Sequence, residues 1–493
     1  MPWPRGRSLG GSSNHNWMQY MRGNPNDFDL WANLTGDIRW NYQNVLQYFR
    51  RLEDYHGHWK GSEAYHGEGG PMNIEGLSFK PALKYWLAAA EELGYPTGFD
   101  PNAIQTQGFG PFDVTQKRGV RFSTYRGYIV PNLLNKNLVI RRYAYATKIH
   151  FDETMTATGV SYLHHGIPKF AAATKEVVVC AGAINTPQLL LLSGIGPFEH
   201  LKEVGIRPVV NLPVGLNLQD HVSAVGHFLA DSPVSFIPNR DSSLASGLEY
   251  LLYGTGPLTS AAGMGGYGFY STPKTSPDWP NIFYILTSIG NFKDFGKLQD
   301  LLGPYSTNFW EQWMKPTEPS DAHLIWVLLA RPKSRGYIKL ADANPMSKPI
   351  IQPAYFSDSG DEDVEALIDG LQFLVKMYEG TSAFQVAGGR MNPVPMPGCE
   401  NYIFKSRRYF ECVIKTLPQT IYHPSCTCPM GKVGDPRAVL DSELRVIGTR
   451  GLRVADASVM PVITNANLNA PTIMIGERCA DLIKSTWLPT VTL

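Results

Sequence analysis

The chain has 493 residues, with 44 lysines and arginines against 43 aspartates and glutamates and a formal net charge of +1. A balanced charge gives no general attraction for nucleic acid or for an anionic membrane, and no apolar run approaches the ~18 residues that a membrane span needs. The composition therefore argues against a DNA-binding module, a membrane-spanning protein or a disordered scaffold, and predicts a large globular protein.

Cysteine usage does not settle the compartment. Six cysteines in so long a chain are too sparse for a disulfide scaffold, and their even number is compatible with bridges as well as with intracellular thiols. Residues 1–7 contain neither an apolar core nor a cleavage-site pattern, so this segment is not a signal peptide.

Hydrophobic spacing predicts an alternation of helices and strands along the chain. We expect helices over residues 41–52, 80–93, 362–379 and 470–483, and strands over 137–152, 176–181 and 452–454. The apolar strand at 176–181 is typical of a parallel sheet, and a helix is expected to begin at Thr186 with Pro187 in its first turn. Residues 224–320 are predicted to be rich in loops. The pattern indicates an α/β protein with an additional mixed region.

The first segment with chemical potential is residues 5–16, which are rich in glycine and serine. Gly10 and Gly11 let a backbone approach a ligand closely, and Ser12, Ser13 and Asn16 can bond phosphate or sugar oxygens. Taken alone, such a run is more often an ordinary loop than a cofactor site.

The second segment is the strand–turn–helix of residues 177–187, followed by a polar turn at 214–221. Ligands of open α/β sheets bind where a buried strand ends and a helix begins. An ordinary β–α connection has the same pattern, and the spacing alone does not reveal the chemistry of the turn.

The third segment, residues 422–431, contains His423, Cys426 and Cys428. Zinc binding is one hypothesis, but the other four cysteines show no paired spacing that would complete a ligand set. Catalysis by His423 in a pocket loop and a satisfied structural histidine are the alternatives.

The fourth segment combines a strand that delivers Asp456 at its carboxyl end with an asparagine-rich turn that opens a helix. Asn469 could act only as the cap of that helix. Asn467 would then be a polar side chain that faces whatever lies beyond the helix N-terminus.

Taken in this order, the four segments resemble the glucose–methanol–choline (GMC) family of FAD oxidoreductases. The match runs from Arg5 to Ile483 and is similar to the animal glucose-dehydrogenase-like branch. The resemblance implies an α/β fold in which a doubly wound, parallel FAD/NAD(P)-binding sheet is joined to an α+β substrate domain on an antiparallel sheet. It divides the chain into an FAD-binding region (1–224), a substrate-domain region (225–330) and a C-terminal region (331–484).

The same resemblance implies a reaction. A hydride passes from the CH–OH group of an alcohol or sugar to flavin N5, and oxygen or a quinone then takes the electrons. Histidine at the position of His423 acts on the alcohol oxygen as base or hydrogen-bond partner, and Asn467 takes the place of the second polar residue. An imidazole can take the proton near neutral pH, and a neutral amide can stabilise the developing alkoxide.

For the cofactor, the resemblance places Gly10, Gly11, Ser12, Ser13 and Asn16 along the pyrophosphate and the ring edge. Ala146 would meet the adenine, and the ribityl–phosphate side would be lined by Asp456, Ala457 and Asn469. Some relatives of the choline-oxidising type bond a histidine covalently to the flavin at the position of His15. Covalent attachment, a hydrogen bond and a surface location are all compatible with the sequence.

One departure from the family pattern produces a second expectation. Relatives begin with a strand–Gly-x-Gly-x-x-Gly–helix unit and an acidic residue about 20 positions later, and this chain shows neither. We therefore expect an N-terminally incomplete chain that binds FAD weakly, and the alternative to an active enzyme is a truncated, catalytically silent family member. Location stays open, because a secretion signal of a longer form would be missing together with this unit.

Overall fold

A computed structural model describes residues 3–260, 263–293 and 307–488 of the chain. The helices in these ranges are α1 (Pro25–Thr35), α2 (Tyr42–Leu52), α3 (Leu83–Glu92), α4 (Gly182–Leu192), α5 (Phe198–Glu203), α6 (Pro238–Asp241), α7 (Leu244–Tyr253), α8 (Thr307–Met314), α9 (Glu362–Gly380), α10 (Ser382–Val386), α11 (Arg407–Thr416) and α12 (Asn469–Trp487). The strands are β1 (Glu53–His56), β2 (Met72–Gly76), β3 (Gly108–Pro111), β4 (Asp113–Val114), β5 (Gln116–Lys117), β6 (Val120–Arg121), β7 (Ala144–Phe151), β8 (Ala157–His164), β9 (Ile167–Ala172), β10 (Val177–Val179), β11 (Leu216–Leu218), β12 (Val222–Ala230), β13 (Met264–Tyr270), β14 (Ile282–Thr287), β15 (Asp321–Leu329), β16 (Gly336–Lys339), β17 (Ile350–Gln352), β18 (Arg390–Met391), β19 (Gln419–Thr420) and β20 (Leu452–Val454).

The largest sheet is antiparallel and confirms the antiparallel sheet expected from the resemblance. Its strands follow the order β18-β12-β15-β14-β13-β3, and β19 pairs with β12. Helix α9 packs on one face, where Gly370 lets the helix approach Val327 and accepts a 3.0 Å hydrogen bond from the hydroxyl of Tyr284. Because the sheet takes strands from all three sequence ranges, the segments far apart in the chain are brought to one surface. The domain boundaries themselves stay predictions.

The prediction that residues 224–320 are loop-rich is wrong for much of this range. It contains most of β12 and all of β13 and β14, and the part at 294–306 lies outside the described residues. The glycines of β13 suggested a loop, but they lie in a strand and make room for neighbouring side chains. Gly266 lies against the indole of Trp86, and Gly268 lies against the ring of Phe109. A Cβ at Gly268 would collide with the ring of Phe109, and one at Gly266 would crowd Leu83 and Trp86.

Parallel pairing is less extensive than a doubly wound sheet requires. Among the described strands, β10 pairs in parallel with β20, and β1 pairs in parallel with β2. Strands β7, β8 and β9 form a separate antiparallel sheet. What the structure shows is therefore a mixed α/β fold with antiparallel sheets, in which the expected parallel sheet is represented by the β10–β20 pair.

Helix α4 begins four residues earlier than predicted, at Gly182, and Pro187 lies inside it. Proline has no N–H and cannot bond the carbonyl of Ala183, one turn earlier. The hydroxyl of Thr427 satisfies that carbonyl instead, at 2.7 Å. The hydroxyl of Thr186 accepts from the backbone N–H of Ala181 rather than capping the helix from outside. A partner remote in sequence thus allows a proline that local rules place in the first turn.

The structure distinguishes disulfide-bonded from free cysteines. Cys399 and Cys412 form a disulfide with their Cα atoms 5.8 Å apart, whereas Cys180, Cys426, Cys428 and Cys479 are free thiols. Within the described ranges, no helix is both long and apolar enough to cross a lipid bilayer.

Candidate active site

Two side chains from distant segments meet at one edge of the antiparallel sheet. His423 lies shortly after β19, and Asn467 lies in the turn before α12. The Nδ2 atom of Asn467 is 3.4 Å from Nε2 of His423. The other amide atom, Oδ1, is buried and has no hydrogen-bond partner in the part of the chain that the structure describes. The predicted catalytic residues are therefore neighbours, and the amide keeps unused hydrogen-bonding capacity.

A second imidazole, His221, contacts the opposite edge of the His423 ring. The two Nδ1 atoms are 2.9 Å apart, and Nε2 of His221 lies 3.1 Å from the carbonyl oxygen of Ala330. A carbonyl oxygen only accepts, so Nε2 of His221 carries the hydrogen. Burial lowers the pKa of His221 to about 4, so this ring is neutral near pH 7 and its Nδ1 accepts. His423 therefore donates from Nδ1, and its Nε2 carries a lone pair.

The backbone of His423 is held by Asp220. The carboxylate accepts a 2.9 Å hydrogen bond from the His423 N–H and further hydrogen bonds from the hydroxyls of Thr420 and Tyr355. Burial raises the pKa of Asp220 to about 6. Three donors on one carboxylate fix the loop that presents the imidazole.

A positive charge lies close to the same loop. The guanidinium of Arg5 donates a 3.0 Å hydrogen bond to the carbonyl oxygen of Tyr422, the residue before His423. Burial, the neighbouring His221 and the charge of Arg5 lower the pKa of His423 well below its ordinary value. The ring of His423 is therefore neutral near pH 7 and carries a single hydrogen on its two nitrogens.

Backbone conformation is unusual beside both site residues. Tyr422, before His423, has φ +63°, and Ala466, before Asn467, has φ +89°. Residues with a Cβ rarely adopt this left-handed region, and such strain is often found at functional sites. In Ala466 the neighbouring Asn465 supplies part of the restraint, because its N–H donates to the buried carboxylate of Asp27 at 2.7 Å.

The zinc hypothesis finds no ligand set. The thiol of Cys426 donates to the hydroxyl of Ser425, and His423 faces His221 and Asn467. The described residues hold no group of three or more histidine, cysteine, aspartate or glutamate side chains arranged for a metal ion.

The glycine-rich loop folds into a short 3₁₀ turn at Gly11–Asn14. The hydroxyl of Ser13 donates to the carbonyl of Gly10 at 2.6 Å and accepts from the N–H of Thr124 at 3.1 Å. The hydroxyl of Ser12 accepts from the N–H of Gly6. Both serine hydroxyls are therefore engaged with the protein's own backbone, and a ligand would meet mainly the bare backbone of this loop.

The two residues that follow in this loop differ in their surroundings. The amide oxygen of Asn16 accepts from the guanidinium of Arg121 at 2.8 Å and from the N–H of Met18 at 3.1 Å. His15 is exposed, as is Ala146 on β7. Asn16 is thus fixed by the protein, whereas His15 is accessible to a ligand.

The predicted residues that follow β20 are Asp456, Ala457 and Asn469, and Asp456 connects the end of β20 to the start of α4. The carboxylate of Asp456 accepts hydrogen bonds from the N–H of Gly182, at 2.9 Å, and from the hydroxyl of Thr186. The carbonyl of Ala457 accepts from the N–H of Cys426 at 3.1 Å. Asn469 is the first residue of α12 and does not cap it by a side-chain hydrogen bond. Its Nδ2 is buried without a partner among the described side chains and backbone atoms.

These features fit a dinucleotide such as FAD. A Cβ added to Gly11 or Gly182 would meet no atom within 4 Å, so open space lies beside both backbones. Asn469 offers an unused amide N–H at the amino end of a 19-residue helix, where anionic or electron-rich groups are stabilised. Bare glycine backbone and an orphaned buried donor are the features that a bound phosphate or flavin edge would complete.

Comparison with known proteins identifies the family. The GMC oxidoreductase family model matches residues 1–223 and 332–476. The chain is 36% identical over 499 residues to "Glucose dehydrogenase [FAD, quinone]" of Drosophila pseudoobscura, covering 98% of this chain and 75% of that protein. It is also 36% identical over 486 residues to mitochondrial choline dehydrogenase of Homo sapiens, covering 98% of this chain and 76% of that protein. Among solved structures, a formate oxidase variant from Aspergillus oryzae superimposes with a TM-score of 0.84 at 25% identity, covering 99% of this chain and 85% of the other.

The chain belongs to the GMC oxidoreductase family, and its cofactor is FAD. The family match begins at residue 1, so it gives no support to the expectation that the N-terminal unit is lacking or to a silent, truncated protein. Equal identity to a glucose and a choline dehydrogenase likewise does not single out the animal glucose-dehydrogenase-like branch.

Sequence reasoning missed four residues around this site. His221, Asp220, Arg5 and Asp27 hold the two site segments through the contacts described above. The Asp-His step at the end of the polar turn at 214–221 was the available signal for the first two. No local pattern marks Arg5 or Asp27, because their partners lie more than 400 residues away.

Proposed function

We propose that the chain oxidises the CH–OH group of an alcohol or sugar to a carbonyl group. The hydroxyl proton passes to Nε2 of His423, and the C–H bond delivers its hydrogen nucleus and electron pair as a hydride. FAD, when bound, supplies the acceptor for that hydride at flavin N5. The observation that carries the proposal is the position of His423, whose Nε2 lies 3.4 Å from the amide of Asn467 while its Nδ1 lies 2.9 Å from His221.

The protonation state of His423 supports its role as the base. An alcohol is too weak an acid to ionise unaided near pH 7, and hydride leaves more readily as negative charge builds on its oxygen. The depressed pKa of His423 keeps the ring neutral at this pH, so its lone pair is available. The imidazolium formed by proton transfer keeps its Nδ1–H bonded to His221.

Asn467 supplies a neutral donor on the same side of the ring. Its amide N–H can bond the alcohol oxygen as that oxygen becomes negative, without competing for the proton. Arg5 adds a positive charge behind the loop, which also favours an anionic oxygen. The centre is therefore built to stabilise the charge that hydride loss creates.

Alcohols and sugars are the substrate class, and oxygen or a quinone is the final electron acceptor. The names of the two relatives, a glucose and a choline dehydrogenase, support small hydroxylated substrates. A quinone is named for the glucose dehydrogenase. The retained pair of His423 and Asn467 argues for an active enzyme rather than a silent one.

The test is anaerobic reduction of the bound flavin. The purified holoprotein is mixed with glucose, choline, aliphatic alcohols and aromatic alcohols, and the loss of visible flavin absorbance is followed. We expect bleaching by at least one of these compounds, and the reduced protein is then mixed with oxygenated buffer or a soluble quinone to identify the acceptor. Absence of bleaching by every alcohol and sugar in a flavin-replete sample would contradict the proposal.

We also infer that His15 is the loop residue able to attach the flavin covalently, because it is exposed whereas Ser12, Ser13 and Asn16 are engaged by the protein. Acid precipitation tests this directly. Yellow colour retained by the pellet supports the bond and should disappear in His15→Ala, whereas a colourless pellet from the parent protein overturns it.

A further inference from the structure

The position of His221 is set by the antiparallel sheet. Strand β12 pairs with β15 so that Ser223 lies opposite Leu328. Continuing this register by two residues brings His221 opposite Ala330. On its other side β12 pairs with β19, where Val222 lies opposite Thr420, three residues before His423. The sheet thus places His221 between a fixed carbonyl and the imidazole of the active site.

The hydrogen-bond sequence through these groups has one direction. Ala330 can only accept, so His221 donates to it from Nε2; His221 then accepts at Nδ1, and His423 donates from its own Nδ1. The same arrangement leaves Nε2 of His423 without a hydrogen, 3.4 Å from the N–H group of Asn467. If His423 carried its hydrogen on Nε2 instead, two lone pairs would face each other across 2.9 Å.

We propose that His221 is a positioning residue that fixes His423 in the tautomer with a free Nε2 and accepts the hydrogen bond of the imidazolium formed during alcohol oxidation. The inference rests on the proposed function of His423. It assigns a role to a fully buried side chain that acts through another ring.

Other groups around His423 do not perform this task. Asp220 bonds its backbone N–H, Arg5 bonds the preceding carbonyl, and Asn467 faces the opposite nitrogen. His221 is the side chain that bonds Nδ1 of His423 among the described residues. Removal of His221 should therefore release the tautomer without removing the base.

A second buried histidine offers a matched control. His323, on β15, donates from Nε2 to the carbonyl of Val234 at 3.1 Å, as His221 does to Ala330, and its Nδ1 contacts the hydroxyl of Tyr378 at 2.7 Å. Burial lowers the pKa of His323 to about 4, as it does for His221. The two rings share burial, protonation state and a backbone acceptor, but only His221 reaches His423.

The first test reads the tautomer directly in the holoprotein. With nitrogen-labelled histidine, NMR distinguishes a ring nitrogen that carries hydrogen from one that does not, and the spectrum of His423→Ala assigns the signals. We expect His423 to carry its hydrogen on Nδ1 in the parent protein and in His323→Leu. A hydrogen on Nε2 of His423 in the parent protein would overturn the inference even if no His221 variant folded.

The second test compares His221→Leu, which removes the acceptor, with His221→Asn, which keeps an acceptor near the position of Nδ1. We expect flavin reduction by substrate to slow about 10- to 100-fold in the leucine variant, part of the 10²–10⁴ that a positioned base contributes. The asparagine variant should recover part of this loss. Parent rate and parent tautomer in a folded, FAD-bound His221→Leu protein would refute the positioning role.

Failure of the proposed function of His423 would give a different experimental result from failure of the positioning role of His221. If His423→Ala reduces flavin as fast as the parent, the proposed base is wrong whatever the His221 variants do. If His423 is required and the His221 variants match the parent, the base stands and the positioning role alone is wrong.

Discussion

Two histidine–asparagine pairs among the described residues have the same chemistry and different surroundings. At the active site, Nδ2 of Asn467 lies 3.4 Å from Nε2 of His423; in the core, Nδ2 of Asn392 lies 2.9 Å from Nδ1 of His227. Burial lowers the pKa of both histidines, that of His227 to about 3. Neither the residue types nor a depressed pKa therefore separates the two pairs.

The two pairs differ in how many of their hydrogen-bonding groups have a partner. In the core pair, the amide of Asn392 also donates to the carbonyl of Trp313 at 3.0 Å and accepts from the N–H of Val394 at 3.0 Å. At the active site, the amide oxygen of Asn467 has no partner among the described atoms, and both residues keep some exposed surface. A pair with unused donors and acceptors can bind substrate, whereas a satisfied pair only holds the fold.

Replacement of the two histidines should sharpen this contrast most. His423→Ala is expected to slow flavin reduction by substrate about 10²–10⁴-fold, because the proton acceptor is lost. His227→Ala should lower thermal stability, because it opens a cavity and strips Asn392 of a contact, and it should leave the reduction rate of the folded protein unchanged. Stopped-flow absorbance measures the rate. Equal rate losses in the two variants would remove the distinction between the pairs.

The two asparagines should differ in the same sense by a smaller factor. Asn467→Ala removes one donor to the developing alkoxide and should slow flavin reduction about 10²–10³-fold, the usual effect of losing such a donor. Asn392→Ala leaves the carbonyl of Trp313 and the N–H of Val394 unpaired and should reduce stability alone. A folded Asn467→Ala protein that reduces its flavin at the parent rate would show that this amide does not touch the reacting oxygen.

The sequence predicted the two central residues of the proposed site better than the residues that support them. His423 and Asn467 were predicted because four segments resembled one family, and the fold does bring these two side chains together. The roles of His221 and Arg5 were not predictable, because each depends on a contact with the 422–423 loop across more than 200 residues. Such contacts follow from strand register and loop packing, which no local pattern encodes.

Predictions for the fold failed where a distant partner overrides a local rule. Helix propensity placed Pro187 in a first turn, but Thr427 satisfies the carbonyl that this proline leaves unpaired. Glycine content indicated loops in the region of β13, but Gly266 and Gly268 make room for Trp86 and Phe109. Helices α2, α3 and α9 were predictable, because their apolar spacing is sufficient in itself.

The carboxylate of Asp27, which holds the turn before Asn467, should make the stability of the protein depend on pH. The carboxylate of Asp27 accepts from the N–H groups of Asn24 and Asn465 and from the indole of Trp279, and burial raises its pKa to about 6. Between about pH 4 and pH 6 the folded chain keeps a proton on Asp27 that the unfolded chain has released. The contribution of Asp27 to the free energy of unfolding therefore falls by about 2 kcal/mol between pH 4 and pH 6.

Asp27→Asn should remove that share of the pH dependence. The measurement is urea unfolding at pH 4, 5 and 6 for the parent and the variant. Some dependence should persist in the variant, because burial also raises the pKa of Asp220 to about 6. An identical pH dependence in both proteins would show that Asp27 does not titrate in this range.

The disulfide is expected to have the smallest effect on flavin reduction, because it concerns the scaffold alone. Cys399 and Cys412 close a loop over a separation of 13 residues, and neither contacts the His423–Asn467 pair in the hydrogen bonds of the described residues. Replacing both by alanine frees this loop in the unfolded chain and should reduce the free energy of unfolding by about 2–3 kcal/mol. Flavin reduction by substrate should keep the parent rate, because both site residues stay in place. Dithiothreitol provides the control: it should lower the urea midpoint of the parent and leave that of the double variant unchanged. A slower flavin reduction in the folded double variant would mean that the active site depends on this bridge. The two histidine–asparagine pairs separate scaffold from chemistry, and that separation would then not extend to α11.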